Sequence, residues 1–180
     1  KAAAISMAAE GAKVAIVGRT QEKLNAAVSE IKNTSGGDVI GVAADVSVES
    51  DVKAMVDKVV GEFGQLDILV NNAGTSSATT LEKMTDEDLK VDFGIKVYGA
   101  VYCARAALPH LKKSGAGAIV NTTTPGGKAP NPGGQPTSLS RAAGISLTKS
   151  WAGELAKDNI RVNTVCVGVL KSGQHRARWE

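Results

Sequence analysis

The sequence predicts an α/β fold built on a doubly wound parallel sheet, and three observations lead to this prediction. Short apolar segments alternate with longer segments whose apolar residues recur at helical spacing. The short segments are apolar on both faces, as the strands of a parallel sheet covered by helices must be. The loops are short, and neither a repeat nor a linker divides the 180 residues. We therefore expect a single domain over residues 1–180.

The predicted elements alternate between helix and strand along the chain. A helix over residues 1–10 can end at Gly11, and Thr20 is placed to cap a second helix that reaches residue 33. Further helices are predicted over residues 48–63, 86–112 and 138–157, strands over 13–17, 39–44, 66–70, 118–121 and 161–166, and a loop rich in Gly and Pro over 122–136.

Composition narrows the possible functions. A formal charge of +3 without a basic run argues against nucleic acid or a membrane surface as partner. No apolar run approaches the roughly 18 residues of a membrane span. Cys103 and Cys166 are far apart, so we expect two buried free thiols in the cytoplasm. His110 and His175 are isolated, and no metal site is expected.

Four short motifs stand at predicted strand ends. They are Asp45-Val46, Asn71-Asn72-Ala73-Gly74, Ile119-Val120-Asn121 and Asn159-Ile160-Arg161-Val162-Asn163. In this order and spacing they resemble the short-chain dehydrogenase/reductase family, and the resemblance covers nearly the whole chain. It implies a Rossmann fold and an NAD(P)-dependent oxidoreductase that acts on a small carbonyl or alcohol substrate.

The resemblance also implies where a cofactor would bind, since ligands of such sheets lie beyond the carboxyl ends of the strands. Members that prefer NAD place a carboxylate where this chain has Gly18, followed by Arg19. A guanidinium can bind a 2′-phosphate, so NADP is expected rather than NAD, although Arg19 could also be merely solvated. Asp45 has an alternative role in capping the next helix. The expected cofactor-binding residues are Arg19, Asp45, Val46, Asn72, Ala73, Gly74, Arg141 and Gly168.

The four catalytic positions of the family, which usually hold Asn, Ser, Tyr and Lys, carry Lys96, Thr124, Thr137 and Arg141. Thr124 keeps a hydroxyl donor. Arg141 keeps the positive charge and could bind the nicotinamide ribose, but it cannot pass on a proton. An aliphatic alcohol is a much weaker acid than a phenol. Thr137 is therefore not expected to be the proton donor, and Thr137→Val should be nearly neutral.

Lys96 allows two interpretations. If it points toward the cofactor, it lies near Arg141, and the like charge and burial lower its pKa enough for a substitute acid or base. A water held by Thr124 could serve instead. Alternatively, Lys96 reaches solvent. The chain is accordingly expected to be an oxidoreductase with altered catalytic residues or a catalytically silent NADP-binding relative. The retained Arg19 and Asp45 argue against a purely structural protein.

Two family segments are not found in the sequence. The first strand with its Gly-rich phosphate loop would precede Lys1, and the last strand would follow Glu180. Without the first strand, two apolar strand edges lack a partner. The expectation is an incomplete fold, a piece of a longer chain that is poorly stable alone.

The sequence further predicts a homodimer or homotetramer, because family members commonly pair through the helices predicted over residues 86–112 and 138–157. An isologous contact requires one self-complementary patch. Sedimentation of the protein should therefore show a dimer or tetramer, and a strictly monomeric species would contradict the prediction. The candidate contact residues are Val97, Val101, Tyr102, Ala104, Ile145, Leu147 and Trp151.

Overall fold

The computed structural model describes residues 1–168 and Leu170, and confirms an α/β fold with parallel strands flanked by helices. The chain divides into two compact units, Lys1–Leu66 and the residues from Asp67 onward. His175 and the rest of residues 171–180 lie outside the described part.

The first unit contains three helices and two parallel strands. Strand pairing sets Val14 opposite Val39 and Gly18 opposite Ala43, and a small core buries Ala8 and Ile31 beside the strands. The elements are α1 (Ala2–Ala9), β1 (Val14–Gly18), α2 (Gln21–Ser35), β2 (Val39–Ala43) and α3 (Glu49–Phe63).

The helix ends of this unit follow from local chemistry. Thr20 occupies the N-cap of α2 as predicted, although its hydroxyl makes no capping hydrogen bond. Helices α2 and α3 end at Gly36 and Gly64, whose φ angles of 69° and 78° belong to the left-handed region that favours glycine.

The second unit holds a three-stranded parallel sheet in the order β3-β4-β5. The middle strand buries Ile119, and α6 packs against both β4 and β5. The elements are β3 (Ile68–Asn71), α4 (Asp86–Phe93), a π-helical turn (Gly94–Tyr98), α5 (Gly99–Ser114), β4 (Ala118–Thr123), a 3₁₀ turn (Pro125–Gly127), α6 (Thr137–Leu155), a 3₁₀ turn (Ala156–Asp158) and β5 (Arg161–Cys166).

Two of the differences from the predicted elements have a cause in backbone hydrogen bonding. The helix predicted over residues 86–112 is interrupted by the π-helical turn, in which the amide of Gly99 donates to the carbonyl of Gly94, five residues earlier. Strand β4 continues to Thr123 rather than ending at Asn121, because Thr123 pairs in register with Cys166 of β5. The spacing of apolar residues in the sequence indicates neither the π-helical turn nor the longer strand.

Helix α4 begins with a capping box. The Thr85 hydroxyl accepts a hydrogen bond from the Asp88 amide at 3.1 Å, and the Asp88 carboxylate accepts one from the Thr85 amide at 2.9 Å. These bonds satisfy two donors that a helix start leaves without partners. The box therefore determines where the helix starts and which face later residues occupy.

The prediction that both cysteine thiols are buried is correct for Cys103 and wrong for Cys166. Cys103 is buried in α5, and burial raises the pKa of its thiol to about 11. Cys166 is exposed, because it is the last residue of β5, where the strand leaves the sheet. Its Sγ lies 3.3 Å from the Thr123 hydroxyl.

The residues predicted to form an interface are not all at the surface. Ala104 is buried within its unit, whereas Val101, Tyr102, Leu147 and Trp151 are half-buried, as are Val97 and Ile145.

In the described part of the chain, no helix is both long enough and apolar enough to cross a membrane.

Candidate active site

A buried carboxylate lies at the centre of the second unit. Asp92, on α4, has no exposed surface. Its oxygens accept hydrogen bonds from the ammonium of Lys96, from Ser77 Oγ at 2.8 Å, from Thr137 Oγ1 at 3.1 Å and from Ser140 Oγ at 2.5 Å. We call these five residues the Asp92 network. It links the loop after β3 to α4, the π-helical turn and the first turn of α6.

Chain spacing explains how these side chains meet. Asp92 and Lys96 are four residues apart, which places them on one face of a helix. Thr137 and Ser140 are three residues apart in the first turn of α6, where they also lie on one face. Lys96 stands within the π-helical turn, a local structure that is frequent at functional sites.

Lys96 points inward, so the interpretation that it reaches solvent is wrong. Its side chain is 1% exposed, and its ammonium donates to Asp92 and, at 3.2 Å, to Thr137 Oγ1. Burial lowers the pKa of Lys96, the charge of Arg141 acts in the same direction, and Asp92 opposes both. The other interpretation, a lysine near Arg141, agrees with this geometry.

The charge of Asp92 is stabilised by its neighbours. Burial alone would raise the pKa of this carboxyl, but hydrogen bonds from Lys96, Ser140 and Ser77 outweigh burial, and its pKa lies below the ordinary 3.8. An ionised carboxylate is therefore retained in the core beside the lysine.

Arg141 lies next to this network and has an unused donor. Its Nη1 donates to the Thr122 carbonyl at 2.6 Å, while its Nε is buried and has no partner among the described residues. A Cβ at Gly74 would lie 2.9 Å from Arg141 Nη2 and 3.4 Å from Lys96 Cε, so glycine leaves room that any side chain would fill. A guanidinium beside this glycine fits a ligand with hydroxyl or phosphate oxygens.

The first unit places Arg19 and Asp45 together. An open depression of about 280 Å³ is lined by both residues and by Asp51. The Asp45 carboxylate accepts from the Ser47 hydroxyl at 2.6 Å and from the Ser47 amide at 2.9 Å; these bonds, with the charge of Arg19, lower its pKa. Asp45 thus stabilises the turn before α3 and faces the depression. Its alternative role as a helix cap is wrong, because the N-cap of α3 is Val48 and no side chain caps the helix start. A carboxylate and an exposed guanidinium suit sugar hydroxyls and a phosphate.

The remaining predicted residues lie apart from the Asp92 network. Asn72 and Ala73 are exposed directly after β3, and Gly168 is exposed after β5. Thr124 is half-buried after β4 and makes none of the hydrogen bonds of the network. Val46, half-buried, follows Asp45 in the turn before α3.

Sequence reasoning missed Asp92, Ser77 and Ser140. A signal for Asp92 was present, because an aspartate four residues before a lysine on a helix is an ion-pair spacing. Ser140 likewise stands one turn after Thr137. Nothing in the sequence marks Ser77, which the loop after β3 brings to the carboxylate.

Parallel strands flanked by helices, with candidate ligand-binding residues after the strand ends, are typical of α/β dinucleotide-binding proteins. The family model described as short chain dehydrogenase matches residues 1–180. The chain belongs to the short-chain dehydrogenase/reductase family.

Relatives and solved structures agree with this assignment. The chain is 37% identical to 3-oxoacyl-(acyl-carrier-protein) reductase FabG of Staphylococcus aureus, over 94% of this chain and 69% of that protein. It is similar to an NAD⁺-bound xylitol dehydrogenase, with a TM-score of 0.92 and 31% identity over 98% of this chain and 68% of that one. It is also similar to an NADPH-bound short chain oxidoreductase from Pseudomonas aeruginosa PAO1 that is described as containing an atypical catalytic center. The TM-score is 0.93 and the identity 32%, over 99% of this chain and 70% of that one.

Asp92→Asn should destabilise the protein by about 3–5 kcal/mol at neutral pH, because it leaves a buried ammonium without its counter-ion. Without the carboxylate, the pKa of Lys96 falls further. The penalty should therefore shrink as the pH rises toward 10.5, the ordinary lysine value, where the neutral amine is favoured.

Urea unfolding at a series of pH values measures this effect. Glu154→Gln, which removes an exposed carboxylate from α6, is the matched control and should change the free energy of unfolding by less than about 0.5 kcal/mol. A penalty for Asp92→Asn that is equally small, or that does not vary with pH, would contradict the ion-pair assignment.

Proposed function

We propose that the protein is an NADP-dependent reductase or dehydrogenase that interconverts a small carbonyl and its alcohol, with Lys96 as the source of the proton. The observation that supports this proposal is the Asp92 network, which sets an ammonium of lowered pKa against Thr137, at the position where the family keeps its acidic phenol. An ammonium whose pKa is lowered toward neutrality is a better general acid than an isolated alcohol.

Candidate cofactor contacts are found within each unit. In the first, Arg19 would bind the 2′-phosphate, and Asp45 with Val46 would lie at the adenosine end. In the second, the Arg141 guanidinium would donate to the nicotinamide ribose, since Gly74 places no side chain against its Nη2. When bound, the nicotinamide supplies or accepts a hydride. Asn72, Ala73 and Gly168 are proposed as its further backbone contacts.

The proposed preference for NADP rests on charge. A guanidinium attracts a phosphate, whereas the carboxylate typical of NAD-preferring members would repel it. Among similar proteins, the Pseudomonas aeruginosa oxidoreductase was solved with NADPH and the xylitol dehydrogenase with NAD⁺, so either dinucleotide has a precedent. The exposed cation Arg19, in place of that carboxylate, is what favours NADP in this chain.

Thr124 is proposed to bind the substrate. Its hydroxyl, at the carboxyl end of β4, is not engaged by the Asp92 network and can donate to a carbonyl oxygen or to an ordered water. This role requires only a donor, which is why a threonine can stand where the family has serine. We further propose that the protein acts as a homodimer or homotetramer in the cytoplasm.

A second candidate function is a catalytically silent NADP-binding protein that dimerises. One observation favours it: every oxygen of the Asp92 carboxylate already accepts hydrogen bonds from within the fold, as a purely structural buried ion pair requires. The two candidates differ in turnover, since both would bind NADPH.

Arg19→Ala should weaken NADPH binding about 10- to 100-fold and leave NADH binding unchanged, because a hydrogen bond to a charged phosphate contributes about 1.5–3 kcal/mol. Titration of both dinucleotides measures the effect. Lys53→Ala, which removes an exposed cation from α3, is the control and should change neither affinity. Equal affinities for NADPH and NADH in the unaltered protein would refute the proposed preference.

Lys96→Met should lower kcat about 10²–10⁴-fold against a carbonyl panel while NADPH affinity stays constant, because a general acid is lost and cofactor binding is not. The variant Lys90→Met, exposed on α4, serves as the control. Lys96→Met alone leaves the Asp92 carboxylate without its cation. A double variant, Lys96→Met with Asp92→Asn, is therefore measured beside it, because it replaces both members of the buried ion pair with neutral side chains.

Steady-state kinetics and NADPH fluorescence decide between the two candidate functions. If the unaltered protein binds NADPH and reduces no carbonyl, the silent binding protein is favoured. If the double variant without the buried ion pair turns over as fast as the unaltered protein, Lys96 is not the proton source.

A further inference from the structure

We propose that the hydroxyl of Thr137 carries the proton between Lys96 and the substrate oxygen, so that the lysine acts through a relay rather than by direct contact. The inference rests on the proposed function and adds a route to it. It also replaces the prediction, based on acidity alone, that Thr137 is not the proton donor.

Burial is the first argument for a relay. The side chains of Lys96 and Asp92 are 1% and 0% exposed, whereas Thr137 is half-buried. A substrate oxygen could touch the ammonium only if the buried ion pair opened, and separating such a pair is costly. Thr137 Oγ1 lies 3.2 Å from Lys96 Nζ and belongs to a residue that is partly exposed.

The directions of the hydrogen bonds are the second argument. Thr137 Oγ1 accepts from Lys96 Nζ at 3.2 Å and from the Ser77 amide at 3.3 Å, and it donates to Asp92 at 3.1 Å. A hydroxyl has one proton and two lone pairs, so both lone pairs already face donors. Turning the O–H from Asp92 to a substrate oxygen rotates the lone pairs with it. The long bond from the Ser77 amide is then given up, while the ammonium of Lys96 stays within reach to replace the departing proton.

Asp92 tolerates the loss of that bond, because its oxygens still accept from Lys96, Ser77 and Ser140. It is a positioning residue in this scheme, since it holds Lys96 and Thr137 in contact and touches no substrate. The charged groups that face Lys96 are Asp92 from α4 and Arg141 from α6, and they affect its protonation in opposite directions.

The step balances in atoms and electrons. In reduction, a hydride from the reduced nicotinamide forms a C–H bond at the carbonyl carbon, and the C=O π pair becomes a lone pair on oxygen. That oxygen takes the Thr137 proton, and Thr137 Oγ1 takes a proton from the Lys96 ammonium in the same event. Lys96 is left as a neutral amine and regains a proton through Thr137, whose hydroxyl takes one from water after the product leaves. Oxidation of the alcohol runs in the reverse direction.

Concerted transfer removes the objection that threonine is a weak acid. A free threonine alkoxide never forms, because Lys96 supplies a proton as the hydroxyl gives its own away. The energetic cost is therefore set by the lysine, whose pKa burial lowers. A hydroxyl at residue 137 is required, whereas its acidity is not.

The test compares Thr137→Ser, which keeps the hydroxyl, with Thr137→Val, which keeps the shape. Ser146→Ala, an exposed position on the same helix, is the control. Thr137→Ser should retain kcat within about threefold, and Thr137→Val should lose about 10²–10⁴-fold, with NADPH affinity unchanged in all three. If the unaltered protein turns over and Thr137→Val is equally fast, the relay is wrong and the proposed oxidoreductase remains.

A second measurement is independent of turnover. The titration of Lys96, followed by NMR of isotope-labelled lysine in the cofactor-free protein, should shift in Thr137→Val and stay unchanged in Ser146→Ala. An unshifted titration in Thr137→Val would show that no hydrogen bond joins the two residues and would overturn the relay. Absence of turnover in the unaltered protein, with NADPH bound, would refute the relay together with the proposed function.

Discussion

The buried ion pair between Asp92 and Lys96 is the interaction on which the rest of the site depends. Taking two charges out of water costs several kcal/mol for each, so the pair persists only because both partners are present and hydroxyls satisfy the remaining carboxylate oxygens. This requirement brings Ser77, Thr137 and Ser140 to one point. The loop after β3, the π-helical turn and the start of α6 are thereby held together.

The burial of this ion pair also limits how a proton can reach a substrate. A proton donor must present a group of suitable acidity to the substrate, and a single phenol meets both needs at once. In the proposed relay the two needs are divided: Lys96 offers the titratable group inside the fold, and the partly exposed Thr137 offers the hydroxyl. Arg141 remains a fixed cation with an unpaired Nε, suited to binding oxygen atoms and unsuited to moving protons.

Much of the fold could be predicted because apolar periodicity reports which faces are buried. Strand β5 was predicted over the residues it occupies, and α3 to within one residue, from Val52, Met55, Val56 and Val59, all of which are buried. The π-helical turn and the last residues of β4 could not be predicted. They depend on a hydrogen bond from Gly99 to Gly94 and on pairing of Thr123 with Cys166, and neither leaves a trace in hydrophobic spacing.

The sequence by itself determined the family, because the motifs that carry it are local and keep their spacing along the chain. Only the tertiary structure decided which side chains meet at the proposed site. Whether Lys96 reaches water or a carboxylate depends on what packs around it. Ser77, Asp92 and Ser140 lie up to 60 residues from the partners they meet. Burial and the direction of a hydrogen bond are properties of packing, and packing exists only once the chain has folded.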